Sequence, residues 1–178
     1  MATTFNAQAI MELGWSWVDD DGTTRDKGSL SVTQRIADGN GDDEAEAVWH
    51  VHDQTLLSGG SITYDLTDLS RTLFETSLVI SLLTVRAIAI TVSSESEGSL
   101  IVGSAASDEW SALFGNDGDT LILTPSGMFS AFHLVDGLTV DDTHKNLKLA
   151  APGGDVIYDI AIIGTTTEAA SDSSSSAA

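Results

Sequence analysis

Apolar and polar residues alternate along most of this chain with a period of two, the spacing of β-strands. The clearest stretch lies in the middle, where Leu82 to Gly103 reads LLTVRAIAITVSSESEGSLIVG. Between Leu83 and Val92 the β-branched residues Thr84, Val85, Ile88, Ile90, Thr91 and Val92 dominate. Both faces are apolar around Ala87 to Ile90, which predicts a central strand covered on both sides, its small alanines facing something close. The turn Ser93–Gly98 is too polar to bury and predicts an antiparallel return along Ser99–Gly103.

Further strands are expected around this pair. Phe5 to Val18 suits a strand or a short helix, and Trp15 and Trp17 on either side of Ser16 favour a strand. Asp19-Asp20-Asp21-Gly22 makes a turn. Lys27 to Ile36 reads as a half-exposed strand, with Leu30, Val32 and Gln34 on one face and Ser31, Thr33 and Arg35 on the other. Residues 37–44, ADGNGDDE, form a polar loop. Ala45 to Leu57 places Ala45, Ala47, Trp49 and Val51 on one parity, and Val48, His50 and His52 on the other; Gly59-Gly60 turns it into a returning strand, Ser61 to Leu66.

Thr67 to Phe74 is the helical candidate: Thr67 or Asp68 can cap it, and Leu69, Leu73 and Phe74 share a face. Trp110, Leu113 and Phe114 suggest one helical turn pinned to the core. Strands follow at 120–124, 128–132, 137–140, 146–149 and 155–164. In the last, Val156, Tyr158, Ile160 and Ile162 face the core and Asp159 faces out. The expected fold is all-β, an antiparallel β-sandwich or jelly roll with one or two short helical turns in connections. Residues 1–44 supply N-terminal strands and acidic loops, expected to make the oligomer or shell contact and to belong to the same sandwich, 45–164 its core, and 165–178 a disordered Ser/Ala-rich tail.

Composition changes this picture mainly through charge. The 178 residues suit one domain, and 7 Lys plus Arg against 27 Asp plus Glu leave a formal net charge of −20. Such a surface repels nucleic acid and anionic membrane, and its self-repulsion is screened in concentrated salt. With Lys scarce and Asp outnumbering Glu, the composition points to a halophilic source. Without cysteine there is neither a disulfide nor a thiolate site. The N-terminus shows no secretory signal, and Arg86 interrupts the longest apolar run, so a soluble chain without membrane contact is expected.

Candidate chemistry is sparse. His50 and His52 point to one side of a strand and could meet one metal, but a third ligand would have to come from elsewhere, His133 and His144 being the other histidines. Asp38, Asn40 and Asp42 sit at alternating positions as in a calcium loop. Asp43, however, stands where that loop needs glycine, and Trp49 where it needs glutamate. Solvated turns are expected, with incidental divalent or monovalent cations on the acidic loops and no cofactor. No serine occupies a G-x-S-x-G elbow, no phosphate-binding loop is present, and no paired carboxylates have sugar-platform aromatics beside them. The four tryptophans, Trp15, Trp17, Trp49 and Trp110, fit core or rim positions.

From about Ala45 to Gly164 the order of features resembles a group of small β-sandwich virion proteins of tailed viruses. The residues that carry it are Trp49, His52, Asp53 and Gln54, the step Asp65-Leu66, the segment Leu69, Leu73 and Phe74, and the strand Val85, Ala87, Ile88 and Ile90. Leu100, Val102 and Gly103 follow, then Trp110 with Phe114-Gly115, Pro125 and Gly127, and the closing Tyr158 to Gly164. Such proteins usually carry Pro-Gly-Gly where this chain has Pro125-Ser126-Gly127. The resemblance implies an accessory shell or appendage protein. With the acidic composition it suggests a tailed virus of a halophilic host.

The function expected is therefore that of a virion-surface structural protein without catalysis: a capsid decoration or turret component that docks on the major capsid protein, or other virion proteins, as a symmetric homo-oligomer. Its expected contact residues are Phe5, Ile10 and Trp15, and the alanine side of the strand bearing Ala87 and Ala89. A tail or receptor-binding appendage is the alternative within that class. A carbohydrate-binding module would need exposed aromatics, and a hydrolase would draw on Asp38, Asp42 and Asp53.

Overall fold

The computed structural model describes residues 5–22, 25–73 and 76–166. Its strands are β1 (Ala7–Val18), β2 (Arg25–Asp38), β3 (Glu44–Ala45), β4 (Ala47–Leu56), β5 (Ser61–Asp65), β6 (Leu69–Leu73) and β7 (Thr76–Ile80), followed by β8 (Thr84–Val92), β9 (Leu100–Gly103), β10 (Thr120–Leu123), β11 (Met128–Phe132), β12 (Leu138–Thr139), β13 (Asn146–Ala150) and β14 (Val156–Thr165). The fold is all-β, as the alternation predicts, with antiparallel sheets packed on one another.

One sheet runs β10-β9-β13-β5 and the other β11-β8-β14-β4, with β12 added to β8. Their inner faces meet through Trp49, Ile88, Ile90, Leu100, Val102, Leu147, Leu149, Ile160 and Ile162, all buried in one cluster. The alternation of β14 is the one expected: Val156, Tyr158, Ile160 and Ile162 are buried, and Asp159 is half-exposed on the outer face. Two polar links cross the core. The hydroxyls of Tyr64 on β5 and Tyr158 on β14 lie 2.6 Å apart, and burial pushes both phenols above their ordinary pKa. The Trp49 indole stands edge-on to Tyr64 and donates to the carbonyl of Ser70 at 3.0 Å.

β8 is central, as expected, flanked by β11 and β14, but it has no hairpin partner in β9. The chain leaves β8, arches over the end of the sandwich, and enters the opposite sheet, where β9 pairs with β10 and β13. β4 and β5 are likewise in opposite sheets, although the Gly59-Gly60 turn suggested a hairpin. The physical reason is that the arches support one another. Gly59 donates to Ala151, Glu97 to Asp155, and the side chains of Ser58 and Asp155 close further bonds between the arches. Ser96 is buried in this junction, bonded to Ile157, so the 93–98 turn is not wholly solvated.

Neither expected helical turn forms, and no helix occurs among the described residues. Asp65 Oδ1 takes the amide and hydroxyl of Thr67, which closes a turn, and the chain continues as β6 paired with β7. Phe74 lies outside the described residues. Around Trp110 the chain makes turns, with Phe114 and Gly115 both donating to Ser111. Trp110 is nevertheless buried and donates to the carbonyl of Thr139 at 2.9 Å, and Leu113 and Phe114 pack against the core. The last strand runs on to Thr165, whose hydroxyl lies 2.8 Å from that of Thr84; the tail from 167 lies outside the described residues.

The N-terminal strands join neither sandwich sheet. β1 and β2 form a hairpin over their whole length, in register from Ala7↔Ile36 to Val18↔Arg25, and β3 touches only the end of β2. Ala9 and Ile36 are buried at the base, where Ile36 meets Ala45, Ala87 and Leu134. Beyond that base both faces of the ribbon are exposed, so β2 is wetter than the half-exposed strand expected.

Candidate interaction surface

The hairpin arm sorts its residues by face. Residues opposite each other in an antiparallel pair project to the same side. The register pairs Met11 with Val32 and Leu13 with Leu30, while Trp15 lies opposite Gly28 and Trp17 opposite Asp26. Met11, Leu13, Trp15, Trp17, Leu30 and Val32 therefore share one face, and all six are exposed. The other face carries Gln8, Glu12, Ser16, Lys27, Ser29, Ser31, Thr33 and Arg35, with Ile10 and Val18 as its apolar members. A Cβ on Gly28 would overlap the Trp15 ring, so the indole lies flat across the missing side chain. A contiguous, exposed apolar face on a highly charged protein marks a contact surface.

A shallow groove of about 280 Å³ opens where the arm meets the sandwich. It is lined by Ile10 from the arm and by Ala87, Ala89, Ser130, Phe132 and Ala161 from the outer face of the β8 sheet. Of the contact residues expected from sequence, Ile10, Ala87 and Ala89 thus come together here, and Phe5 packs beside Ala87 at the arm's base. Ala87 is itself buried within the chain, while Ala89 is exposed. Trp15 stands apart from them, farther along the arm.

The candidate metal residues separate into two places. His50 and His52 do share a side of β4, with ring centroids 4.8 Å apart. His52 Nδ1 lies 3.6 Å from Asp159 Oδ1. Asp159 is engaged already: its Oδ1 accepts from the Asp53 amide and its Oδ2 from the Thr91 hydroxyl. Those bonds, led by the Asp53 amide, hold its carboxyl below the usual value despite some desolvation. His144 pairs instead with Asp141, a carboxyl lowered to about 2 by the Thr143 hydroxyl and amide first and the imidazole after them. Among the described residues no three His, Asp or Glu side chains gather as a metal site would require.

The loop carrying Asp38, Asn40 and Asp42 is organised by a cation of the chain's own. Arg86, buried on β8, donates through Nη2 to the carbonyls of Asn40 and Gly41, and through Nη1 to those of Leu134 and Val135. Glu44 turns its carboxylate back to the Gly41 amide at 2.9 Å. A guanidinium held by backbone carbonyls thus fastens this loop to the 133–136 loop at the foot of the arm.

No protein-family model matches the chain, and no curated protein does. One similar solved structure is the crystal structure of PirA, at a TM-score of 0.32 and 11% identity, over 66% of this chain and 91% of that one.

Two organising residues escape the sequence reading. Arg86 reads there as a charge that interrupts an apolar run. Glu109 is buried, and its carboxylate accepts from the amides of Ser104 and Gly118, which folds the loop around Trp110. An isolated charge inside a β-branched run was a usable signal for the first. Nothing in the acidic surroundings of Glu109 distinguishes it from its solvated neighbours.

Proposed function

We propose that this protein is a structural subunit of a larger assembly and carries out no catalysis: a decoration or turret component on the surface of a tailed virion, bound to the major capsid protein. The observation that carries the reading is the apolar face of the arm. Six large apolar side chains stand in water beside a body that is otherwise strongly acidic. Exposed area of this kind favours association through its release from water, at about 25 cal/mol per Å². The acidic body suits concentrated salt, where such contacts strengthen and charge repulsion is screened. The titratable side chains add support: Asp159, Asp141, Glu109 and Glu44 are spent on nearby amides, hydroxyls and imidazoles rather than converging on a cleft.

Immuno-labelling of purified particles in molar salt tests this role. Label distributed over the shell supports it, label at the tail moves the protein to an appendage, and unlabelled particles refute a virion role. A second reading is favoured by one specific observation, the exposure of Trp15 and Trp17 on the same face, which a glycan-binding module needs. The side chains around them are aliphatic apart from Asp26 opposite Trp17, whereas most of the polar groups that would orient a sugar lie on the opposite face. Tryptophan emission that stays unchanged across a glycan panel disposes of that reading.

A further inference from the structure

The arm's apolar face has a partner that its own charge and size indicate. We propose that it docks on the same face of a second copy of the chain, so that two arms stack as a four-stranded, two-layer sandwich about a two-fold axis. The proposal deepens the reading of the arm as an assembly surface and rests on it. It names the occupant.

Charge favours a second copy. β1 and β2 together carry Glu12, Asp26 and Asp38 against Arg25, Lys27 and Arg35, so the arm's strands are neutral and hold three of the chain's seven cationic side chains. The formal −20 resides in the rest of the chain. Two bodies cannot meet closely without strong repulsion, but two arms can, and the length of the arms keeps the bodies apart. The three cations lie on the polar face, and the charge in register with the apolar residues, Asp26 opposite Trp17, stands exposed at the outer end of the contact.

Size and symmetry agree. Beyond the buried base, the eight paired residues Met11 to Val18 at about 3.4 Å each make a face about 27 Å long and about 10 Å wide, and two such faces together remove about 540 Å² of flat area from water. Interlocking of the tryptophans adds to this, and a contact of this size belongs with weak, reversible associations. Only one face of each ribbon is apolar, so a single isologous contact covers it and closes the assembly at two. Trp15 lying flat over Gly28 keeps the ribbon thin enough for sheets to stack at about 10 Å.

A lipid surface is the other occupant an amphipathic ribbon could take. The tip argues against it: Asp19, Asp20 and Asp21 form the turn that would enter a bilayer first, and carboxylates there are costly.

Sedimentation equilibrium of the full chain at about 0.1 M and about 1 M sodium chloride tests the proposal. The expected result is a reversible dimer, at least tenfold tighter in the higher salt. Leu13→Ser with Trp17→Ser abolishes it while the far-UV circular dichroism stays unchanged, and Met11→Ser with Leu30→Ser does the same. Ser31→Glu, on the polar face, leaves it intact. A wild-type monomer at every concentration overturns the proposal, and so does a dimer that survives both double substitutions. Wild-type protein that stays monomeric yet floats with phosphatidylcholine–phosphatidylglycerol vesicles, and loses that on Leu13→Ser with Trp17→Ser, overturns it in favour of lipid. A monomer that still labels particles refutes the dimer and spares the shell role. A dimer that labels none supports the pairing and refutes the shell role.

Discussion

The arm and the sandwich follow the same alternation and put it to opposite use. In the sandwich, Trp49 and Trp110 are 3% and 0% exposed, and each indole N–H reaches a backbone carbonyl. In the arm, Trp15 and Trp17 are 46% and 64% exposed, and their face meets solvent. A period of two specifies which side chains share a face, but not what covers that face. The sandwich supplies its own cover because two sheets face each other. No described residue of the chain covers the arm's face beyond its base.

Paired substitutions separate the two regions. Trp110→Ala removes a fully buried indole and is expected to destabilise the fold by about 3–5 kcal/mol. Trp17→Ala in the monomer should stay within about 0.5 kcal/mol of wild type. Urea unfolding at low protein concentration checks both, and equal losses would dissolve the distinction. Arg86→Met comes next, at roughly 2–4 kcal/mol, because it removes the guanidinium that the carbonyls of Asn40, Gly41, Leu134 and Val135 share. Amide exchange should quicken first in the 39–44 loop and at the arm's base.

Glycines sharpen the contrast. A Cβ at Gly98 would collide with the backbone carbonyls of Gly153 and Gly154, which cannot swing aside. Gly98→Ala should therefore cost about 1–3 kcal/mol as the arches are forced apart. At Gly28 the obstacle is the Trp15 ring, a movable side chain. Gly28→Ala is expected to cost less than about 1 kcal/mol and to shift the tryptophan emission to the red.

The smallest effect is that of pH, and it belongs to the sandwich and its loops. Asp141 and Asp159 have folded pKa values below their unfolded ones, so their contribution is present above the unfolded carboxylate range. It fades as pH falls below that range and through the folded values, that of Asp141 being about 2. Burial, and then Tyr64, raise the Tyr158 phenol, so its contribution is complete below the unfolded value of 10.0 and is lost as pH climbs beyond it. The urea midpoint should be flat between these limits and fall at both ends. A midpoint unchanged from pH 3 to pH 11 contradicts the assignment.

Legibility in the sequence follows the same division. Strands half-buried by their own fold, such as β14 with Val156, Tyr158, Ile160 and Ile162, declare their inner face directly. The central position of β8 is legible because both its faces are apolar. Pairing is not. Ser93–Gly98 and Gly59-Gly60 have the composition of hairpin turns, and whether such a turn returns to the same sheet or arches to the other depends on contacts with the 151–155 arch, distant in sequence. Leu69 and Leu73 fit helical spacing over too short a window to decide, and Thr67, one of the two expected caps, gives its amide and hydroxyl to Asp65 in a turn instead. On the arm, Leu30 and Val32 alternate visibly, but only the register shows that they share a face with Trp15 and Trp17.

Cover of the arm's apolar face by its twin brings the polar sides of two arms to a fixed separation. The absence of native cysteine permits a single spin label through Ser31→Cys, on the polar side of the arm, without disturbing the proposed contact. Dipolar spectroscopy of the labelled protein in molar salt should give an intermolecular distance of roughly 20–30 Å, the span of two stacked ribbons with labels on their outer sides. It should vanish on dilution with unlabelled chain. A labelled sample with no intermolecular coupling at high concentration contradicts the account.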